Sequence, residues 1–350
     1  MSRALIAQGP RGSDGDSPGA RVDMGVDLAG VGLPSPILTA SGCAAAGREL
    51  DTFVDITTLG AVVTKSIMMR PRAGRATPRM SETPSGMLNS IGLQGPGVES
   101  FIENDLSWLV GRGARTIVSI AGESVEEYAK LAAKLKRVEG ISAIEVNISC
   151  PNVADRGQVF ACRPESAAQV VQAVRRGSDS RTPIFAKLSP DVTDIVEIAD
   201  SVIKAGATGL SLINTLLGMV IDTTTMRPAL AGVTGGLSGP AIRPVAVRCV
   251  WQVRAAFPKV PIIGMGGIRS GADAMEFMLA GADAVSVGTS VFNDPSAPAR
   301  IHRELADLVA GDGFTRLADI VGRAHREPEP IVLDEPTELD DWDFITEERP

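Results

Sequence analysis

Histidine is almost absent from this 350-residue chain, and its scarcity limits which side chains can carry proton chemistry. The only two histidines, His302 and His325, lie near the C-terminus, beyond the last strand that the sequence pattern predicts. A general base must then come from another residue type. A cysteine thiol, with an ordinary pKa of about 8.5, can be that base where the site lowers its pKa or the working pH is high.

Cysteine is also scarce, and its spacing excludes several kinds of structure. The chain has Cys43, Cys150, Cys162 and Cys249, and no two of them form a CxxC pair. This spacing is not that of a disulfide framework, a zinc site or an iron–sulfur site. We therefore expect no bound metal and a reducing, cytoplasmic location.

Long apolar runs and an excess of basic residues are missing as well. No run approaches the roughly 18 apolar residues of a membrane span, and residues 1–20 lack the apolar core of a signal peptide. The net charge is −8, and ten acids against two bases from Arg326 onward account for all of it. We expect no binding to nucleic acid or to a membrane. Residues 1–20 should be a disordered extension, residues 21–325 one folded domain, and residues 326–350 a solvated acidic tail.

Short apolar runs alternate with amphipathic stretches along the body of the chain. Eight runs are predicted strands: Pro36 to Ala40, Ala61 to Lys65, Thr116 to Ile120, Ala143 to Asn147, Ile184 to Lys187, Gly209 to Ile213, Ile262 to Met265 and Ala284 to Val287. Predicted helices between them include Ser124 to Val138, Pro164 to Arg176, Val192 to Ala205, Ala241 to Ala256 and Ala272 to Ala280. Gly60, Gly206 and Gly281 stand where helices should end. This order predicts an α/β fold, a single eight-stranded β/α (TIM) barrel.

In such a barrel the chemistry lies at the carboxyl ends of the strands. The fourth predicted strand ends in Asn147-Ile148-Ser149-Cys150-Pro151-Asn152. A buried structural cysteine is the commoner case in proteins at large. Here two asparagines frame Cys150, and their amides suit a planar polar ligand better than a core. The segment therefore predicts a reactive site.

Two lysines also stand at strand ends. Lys65 and Lys187 each terminate an apolar run, which makes simple surface exposure a poor explanation for either. Two cations at one barrel mouth suggest an anionic substrate and a cofactor that gains negative charge, as a flavin does on reduction. A Schiff-base role for Lys187 in a flavin-free lyase is a second interpretation.

Glycine turns follow the last two strands, in Met265-Gly266-Gly267-Ile268 and Val287-Gly288-Thr289. Such turns allow backbone N–H groups to approach a phosphate, and barrels often hold one there. No GxGxxG motif follows an early strand, so a mononucleotide is a better candidate than a dinucleotide.

The connection from Met68 to Gly97 is long for a compact barrel, which predicts a lid or substrate loop. We expect its four arginines to be solvated: Arg70, Arg72, Arg75 and Arg79. Asn89 and the turn after it are the candidates for ligand contact.

The strand-end motifs together resemble those of the class 1 dihydroorotate dehydrogenases, over about Val22 to Ala310. The cysteine distinguishes them from class 2 enzymes, which use serine, and Ile91-Gly92-Leu93-Gln94 is closer to subclass 1B than to 1A. The matching segments are Lys65-Ser66, Asn89-Ser90-Ile91-Gly92-Leu93, Asn147 to Asn152, Lys187-Leu188-Ser189-Pro190, Ile213-Asn214-Thr215, Gly235 to Pro240, Gly266-Gly267-Ile268 and Gly288-Thr289.

The resemblance implies a flavin mononucleotide (FMN) and oxidation of (S)-dihydroorotate to orotate in de novo pyrimidine (UMP) biosynthesis. Cys150 would remove the proton from ring carbon 5, while a hydride leaves carbon 6 for the flavin. The substrate residues implied are Lys65, Asn89, Ser90, Ile91, Gly92, Leu93, Asn147, Asn214 and Thr215. The FMN residues implied are Ser41, Lys65, Ser66, Asn147, Lys187, Ile213, Gly239, Gly266, Gly267, Gly288 and Thr289.

For subclass 1B the resemblance also implies a partner subunit that carries FAD and a 2Fe-2S cluster, in a homodimer or heterotetramer. Two departures concern the cofactor and the loop: Ser119 stands where the family usually has an asparagine, and Gly95-Pro96 replaces the usual Asn-Pro. A dihydropyrimidine dehydrogenase-type enzyme stays open as an alternative, although that family usually has histidine at the position of Asn152. A catalytically silent subunit is the non-enzyme alternative.

Overall fold

The computed structural model describes residues 22–149 and 162–326. The strands in these residues are β1 Val26–Leu28, β2 Val31–Leu33, β3 Ile37–Thr39, β4 Val62–Val63, β5 Met80–Thr83, β6 Gly86–Asn89, β7 Thr116–Ile120, β8 Ile141–Asn147, β9 Ile184–Leu188, β10 Gly209–Leu212, β11 Leu216–Gly218, β12 Ile221–Asp222, β13 Arg227–Pro228, β14 Gly235–Ser238, β15 Ile262–Met265 and β16 Ala284–Val287. The α-helices in them are α1 Val98–Ser100, α2 Ser107–Arg112, α3 Val125–Leu135, α4 Pro164–Gly177, α5 Ile195–Lys204, α6 Arg243–Ala256, α7 Gly271–Leu279 and α8 Ala297–Gly311.

Within the described residues, eight parallel strands form one barrel. They hydrogen-bond in the order β3-β16-β15-β10-β9-β8-β7-β4. A bridge between Leu38 and Ala61 closes the ring, where the Thr39 N–H donates to the Ala61 carbonyl at 3.3 Å. Each strand overlaps one of the eight predicted runs, so the predicted barrel is confirmed.

Amphipathic helices cover the outside of the barrel, as the sequence pattern predicts. Ser124 caps α3 by accepting from the Glu127 N–H, and Asp194 caps α5 by accepting from Val196 and Glu197. The outward-facing Ile144 of β8 belongs to the same buried cluster as the helix residues. No helix in residues 22–149 and 162–326 is long and apolar enough to cross a membrane.

The barrel interior changes from apolar to polar along its axis. At the amino-terminal end, Leu28 and Leu33 of the β1–β2 hairpin pack against inward residues that include Ala143 and Phe185. Side chains on a strand alternate between its two faces, so residues two positions further on also point inward. On β8 and β9 these residues are Glu145 and Lys187, and both are buried. The polar interior layer also includes Ser119 and Ser286.

A second, antiparallel sheet lies beside the barrel mouth, in the order β11-β14-β6-β5. It contains part of the segment Met68 to Gly97, which the sequence predicts as a lid or substrate loop. Residues 80–89 of this segment are not irregular, because β5 and β6 form a hairpin and β6 then pairs with β14. The pairing sets Asn89 opposite Gly236, a residue 147 positions along the chain.

The predicted helix-ending glycines have two different structural roles. Gly206 and Gly281 adopt positive φ angles of 107° and 110° directly after α5 and α7, as predicted. Gly60 is not a left-handed helix cap. A β-carbon there would overlap the carbonyl oxygen of Ser35, so Gly60 serves a close approach of two backbone segments.

Candidate active site

The carboxyl ends of the barrel strands open into a cavity of about 1400 Å³. Pockets for a single small molecule are usually roughly 300–1,000 Å³, so this volume suits two ligands side by side. The predicted catalytic residue, Cys150, lies outside the described residues. All the other predicted site residues line the cavity: Ser41, Lys65, Ser66, Asn89, Ser90, Ile91, Gly92, Leu93, Asn147, Lys187, Ile213, Asn214, Thr215, Gly239, Gly266, Gly267, Gly288 and Thr289.

A continuous hydrogen-bonded chain connects the side chains at the ends of four strands. The Asn214 amide nitrogen donates to Asn147 Oδ1 at 3.2 Å, and Asn147 Nδ2 donates to Ser66 Oγ at 3.1 Å. The hydroxyls of Ser66 and Ser119 are 2.9 Å apart. Ser119 Oγ then donates to Glu145 Oε1 at 3.0 Å. Amides at the mouth are thereby connected to a carboxylate inside the barrel.

The direction of this chain follows from its last acceptor. An ionised carboxylate only accepts hydrogen bonds, and a hydroxyl has one proton to donate. Ser119 uses its proton on Glu145, so Ser66 must donate to Ser119. Every donor from Asn214 onward is therefore oriented toward Glu145, which leaves the Asn147 carbonyl oxygen turned toward Asn214 and the Ser149 N–H.

Lys187 reaches the same carboxylate from the neighbouring strand. Its Nζ lies 3.7 Å from Glu145 Oε1 and donates to Ser41 Oγ at 2.8 Å. The exposed fractions of the Lys187 and Glu145 side chains are 6% and 1%. Lys187, predicted from the sequence as a cation of the site, is thus part of a buried ion pair with Glu145, a residue that was not among those predicted.

Lys65 differs from Lys187 in that no carboxylate in the described residues forms an ion pair with it. Partial burial lowers the pKa of Lys65 below its usual 10.5; the neighbouring Cys43 opposes this effect, and Arg79 adds to it. Burial also raises the pKa of the Cys43 thiol, which the nearby Lys187 and Lys65 only partly offset. Cys43 is therefore a poor proton acceptor, although it lines the same cavity.

The turn after β6 is held by the segment that precedes it. Asn89 Nδ2 donates to the Gly236 carbonyl at 3.2 Å, and the Arg75 N–H donates to the Ile91 carbonyl at 2.9 Å. Gly92 and Leu93 take positive φ angles of 78° and 55°. The turn therefore has a defined, folded-back shape at the rim of the cavity.

Three of the four arginines in this segment hydrogen-bond to the turn or to Gln94 directly after it. Arg70 and Arg75 are exposed, as predicted, whereas Arg72 and Arg79 are partly buried, so the prediction that all four are solvated holds only in part. Arg75 Nη1 donates to Ser90 Oγ at 3.1 Å, and Arg79 Nη1 donates to Gln94 Oε1 at 3.0 Å. Arg72 donates to the Gly92 carbonyl at 3.1 Å and pairs with Glu123. These contacts follow from backbone pairing, since Arg72 forms an antiparallel bridge with Gly95 and the Arg75 N–H donates to the Ile91 carbonyl.

The glycine turns after β15 and β16 form a concave wall that has no room for side chains. Gly266 and Gly267 have φ angles of 133° and 79°, and a β-carbon on Gly267 would lie 2.7 Å from the Gly239 carbonyl oxygen. The buried Ser286 hydroxyl, which lines the cavity, has no hydrogen-bond partner in the described chain. This wall fits a phosphate-bearing ligand that brings its own acceptors.

The main residue that the sequence reasoning missed is Glu145. The available signal was its position in β8, two residues after Ala143 and two before Asn147, on the inward face of an otherwise apolar strand. The contact of Arg75 with Ser90 had no comparable signal, because it depends on how the connection folds.

Comparison with known proteins agrees with the strand-end motifs. The family model described as dihydroorotate dehydrogenase matches residues 24–309. A relative from Geotalea daltonii, "Dihydroorotate dehydrogenase B (NAD(+)), catalytic subunit", is 50% identical over 303 residues, 87% of this chain and 98% of the relative. Proteins with the same name from Desulforudis audaxviator (50% over 306 residues, 87% and 99%) and Geobacter sulfurreducens (48% over 300 residues, 86% and 97%) are similar to the same extent. The resemblance inferred from the motifs is thereby confirmed, and the chain belongs to the dihydroorotate dehydrogenase family.

Proposed function

We propose that this protein is the catalytic subunit of a class 1B dihydroorotate dehydrogenase, which oxidises (S)-dihydroorotate to orotate in pyrimidine biosynthesis. The observation that carries the proposal is the composition of one cavity wall, where Lys65 and the amides of Asn89, Asn147 and Asn214 face one space. Asparagine amides both donate and accept hydrogen bonds. Together with a cation they match a small ring that has amide edges and one carboxylate.

The substrate roles follow from charge and orientation. Lys65, which has no carboxylate partner in the described residues, would bind the substrate carboxylate. Asn147 and Asn214 are already bonded to one another, and each would present its remaining amide N–H to a ring carbonyl of the substrate. The backbone of the turn from Ser90 to Leu93 would cover the opposite edge.

We propose FMN as the cofactor, in the part of the cavity between Lys187 and the glycine turns. When bound, FMN supplies an acceptor for the hydride that leaves carbon 6 of the substrate. Gly266, Gly267, Gly288 and Thr289 would hold its phosphate by backbone N–H groups. Lys187, fixed by Ser41 and Glu145, would place a positive charge beside the ring system.

The proton chemistry is assigned to Cys150. As general base it would remove the proton from carbon 5, so that the substrate loses a proton and a hydride in forming the double bond. Neither described histidine is available for this step, since His302 bonds to Ser35 and His325 stacks on Trp251, and neither lines the cavity. Cys43 is disfavoured because burial raises the pKa of its thiol.

Two other readings have less support. A lyase with Lys187 as Schiff-base nucleophile is disfavoured, because the amine already donates to Ser41 and pairs with Glu145. A dihydropyrimidine dehydrogenase-type activity shares the barrel and flavin, but its substrates lack the carboxylate for which Lys65 is suited. The names of the relatives also favour dihydroorotate.

We further propose an electron-transfer partner subunit that carries FAD and a 2Fe-2S cluster and passes electrons to NAD, in a homodimer or heterotetramer. The relatives' names specify NAD(+) and a catalytic subunit, which supports a second subunit. A cytoplasmic location is supported by Cys43 and Cys249, which are free thiols.

An acceptor assay tests this function. The purified chain, reconstituted with FMN, should reduce an artificial dye with dihydroorotate but should not reduce NAD. Co-expression with the partner subunit should restore NAD reduction. Efficient fumarate reduction by the chain alone would indicate subclass 1A and would contradict the partner proposal.

A further inference from the structure

A buried carboxylate lies under the candidate site, and the roles proposed above use it only as a contact of Lys187. Glu145 of β8 has an exposed side-chain fraction of 1%. Its Oε1 accepts from Ser119 and lies 3.7 Å from Lys187 Nζ. Its Oε2 is buried and has no hydrogen-bond partner within the described residues.

This carboxylate is costly for the fold. A buried charge destabilises a protein unless an opposite charge and several hydrogen bonds compensate for it. Two residues earlier on the same strand, Ala143 packs in the apolar interior and requires no compensating charge or hydrogen bond. The compensation for Glu145 comes from Lys187 and from the chain of hydroxyls and amides that ends on Oε1.

We propose that Glu145 is a positioning residue with two effects on the site. It is the counterion that holds the Lys187 ammonium group and partly neutralises its charge. It is also the common acceptor that, through Ser119 and Ser66, fixes the orientation of the Asn147 amide. The inference rests on the proposed function, since Lys187 and Asn147 are assigned there to cofactor and substrate.

The electrostatic consequence has a definite sign. An unopposed lysine beside the flavin favours the negative charge that accompanies reduction, and so raises the reduction potential. Glu145 opposes that effect from within the barrel, where charges are poorly screened. Its carboxylate therefore keeps the potential of the bound flavin below the value that Lys187 alone would set.

The direct test compares the isosteric Glu145→Gln with Glu145→Asp, which keeps the charge. Each variant is reconstituted with FMN, and the reduction potential of the bound flavin is measured by equilibration with a reference dye. Glu145→Gln should raise the potential, whereas Glu145→Asp should stay near wild type. A matched control is Glu82→Gln, which removes an exposed carboxylate at the rim of the same cavity.

The test has clear opposing outcomes. If Glu145→Gln shifts the potential no more than Glu82→Gln does, or lowers it, the inference is overturned. If Glu145 had only a structural role, Glu145→Gln and Glu145→Asp would have the same flavin reduction potential, which would also overturn the inference. If none of the reconstituted proteins binds FMN, the proposed function itself fails, which is a different result.

A double-mutant cycle decides the matter even if Glu145→Gln accumulates poorly. Lys187→Gln alone leaves the buried carboxylate uncompensated, so it should lower the Tm and weaken FMN binding about tenfold or more. The double variant Glu145→Gln with Lys187→Gln should recover part of both losses, because the unpaired charge is gone. A double variant that is no better than Lys187→Gln in Tm and in FMN affinity would contradict the pairing.

Discussion

Asn147 of β8 and Lys187 of β9 are register partners in the barrel, so their side chains leave the sheet next to each other at its carboxyl end. One is the central amide proposed for the substrate, and the other is the cation proposed for the flavin. Both are connected to Glu145, two residues before Asn147. Asn147 reaches its carboxylate through Ser66 and Ser119, and Lys187 contacts it directly. The amide proposed for the substrate and the cation proposed for the flavin are therefore both held by the Glu145 carboxylate.

We predict that Cys150→Ala lowers the rate of flavin reduction by dihydroorotate by about 10²–10⁴-fold, which is the usual contribution of a general base. FMN should remain bound, because the thiol acts on the substrate. The measurement is single-turnover flavin reduction under anaerobic conditions, and in the wild type this rate should rise with pH through the thiol's pKa. Cys43→Ala, the control that removes a thiol lining the cavity, should keep most of the rate, since burial raises the Cys43 pKa. If Cys43→Ala lowered the rate of flavin reduction more than Cys150→Ala does, Cys43 and not Cys150 would be the general base.

Orotate affinity should depend on the protonation of Lys65. Burial lowers the pKa of Lys65 in the free enzyme, and a bound carboxylate favours the charged form. Affinity should therefore be complete below that pKa and should fall about tenfold per pH unit above it, starting below pH 10.5. Lys65→Arg, which does not titrate in this range, should give a flat profile wherever it still binds. A wild-type Kd that stays constant up to pH 10.5 would exclude Lys65 as the carboxylate ligand.

Arg75→Ala should weaken substrate binding without affecting the flavin. The change removes the hydrogen bond to Ser90 in the turn beside the cavity, so the KM for dihydroorotate should rise roughly three- to tenfold, the usual effect of losing one hydrogen bond from an exposed side chain. FMN affinity should be unchanged. The matched control is Arg70→Ala, an exposed arginine from the same segment that does not line the cavity. If Arg75→Ala and Arg70→Ala raise the KM equally, Arg75 acts through its long-range charge and not through the hydrogen bond to Ser90.

The barrel strands could be predicted from sequence because buried parallel strands are nearly continuous apolar runs. Thr116 to Ile120 is one such case, and its predicted bounds are those of β7. The sheet at the mouth could not be predicted in this way. Its strands, such as Gly86–Asn89, are short and pair with a segment almost 150 residues away, so no local pattern identifies them.

Sequence alone could predict those residues of the candidate site that lie at the carboxyl ends of strands. Lys65, Asn147 and Lys187 could be placed at one mouth because parallel strands present their carboxyl ends together. The ion pair with Glu145 could not, because it depends on the register of β8 against β9 and on side-chain direction. The role of Cys150 stays a prediction.

The most direct test of the account is the visible spectrum of the FMN-reconstituted protein, recorded anaerobically during titration with (S)-dihydroorotate. The wild-type protein should show absorbance typical of oxidised flavin that bleaches with dihydroorotate and not with dihydrouracil, and Cys150→Ala should bind FMN but bleach far more slowly. Bleaching by dihydrouracil alone, or a protein that binds no flavin at all, would contradict the account.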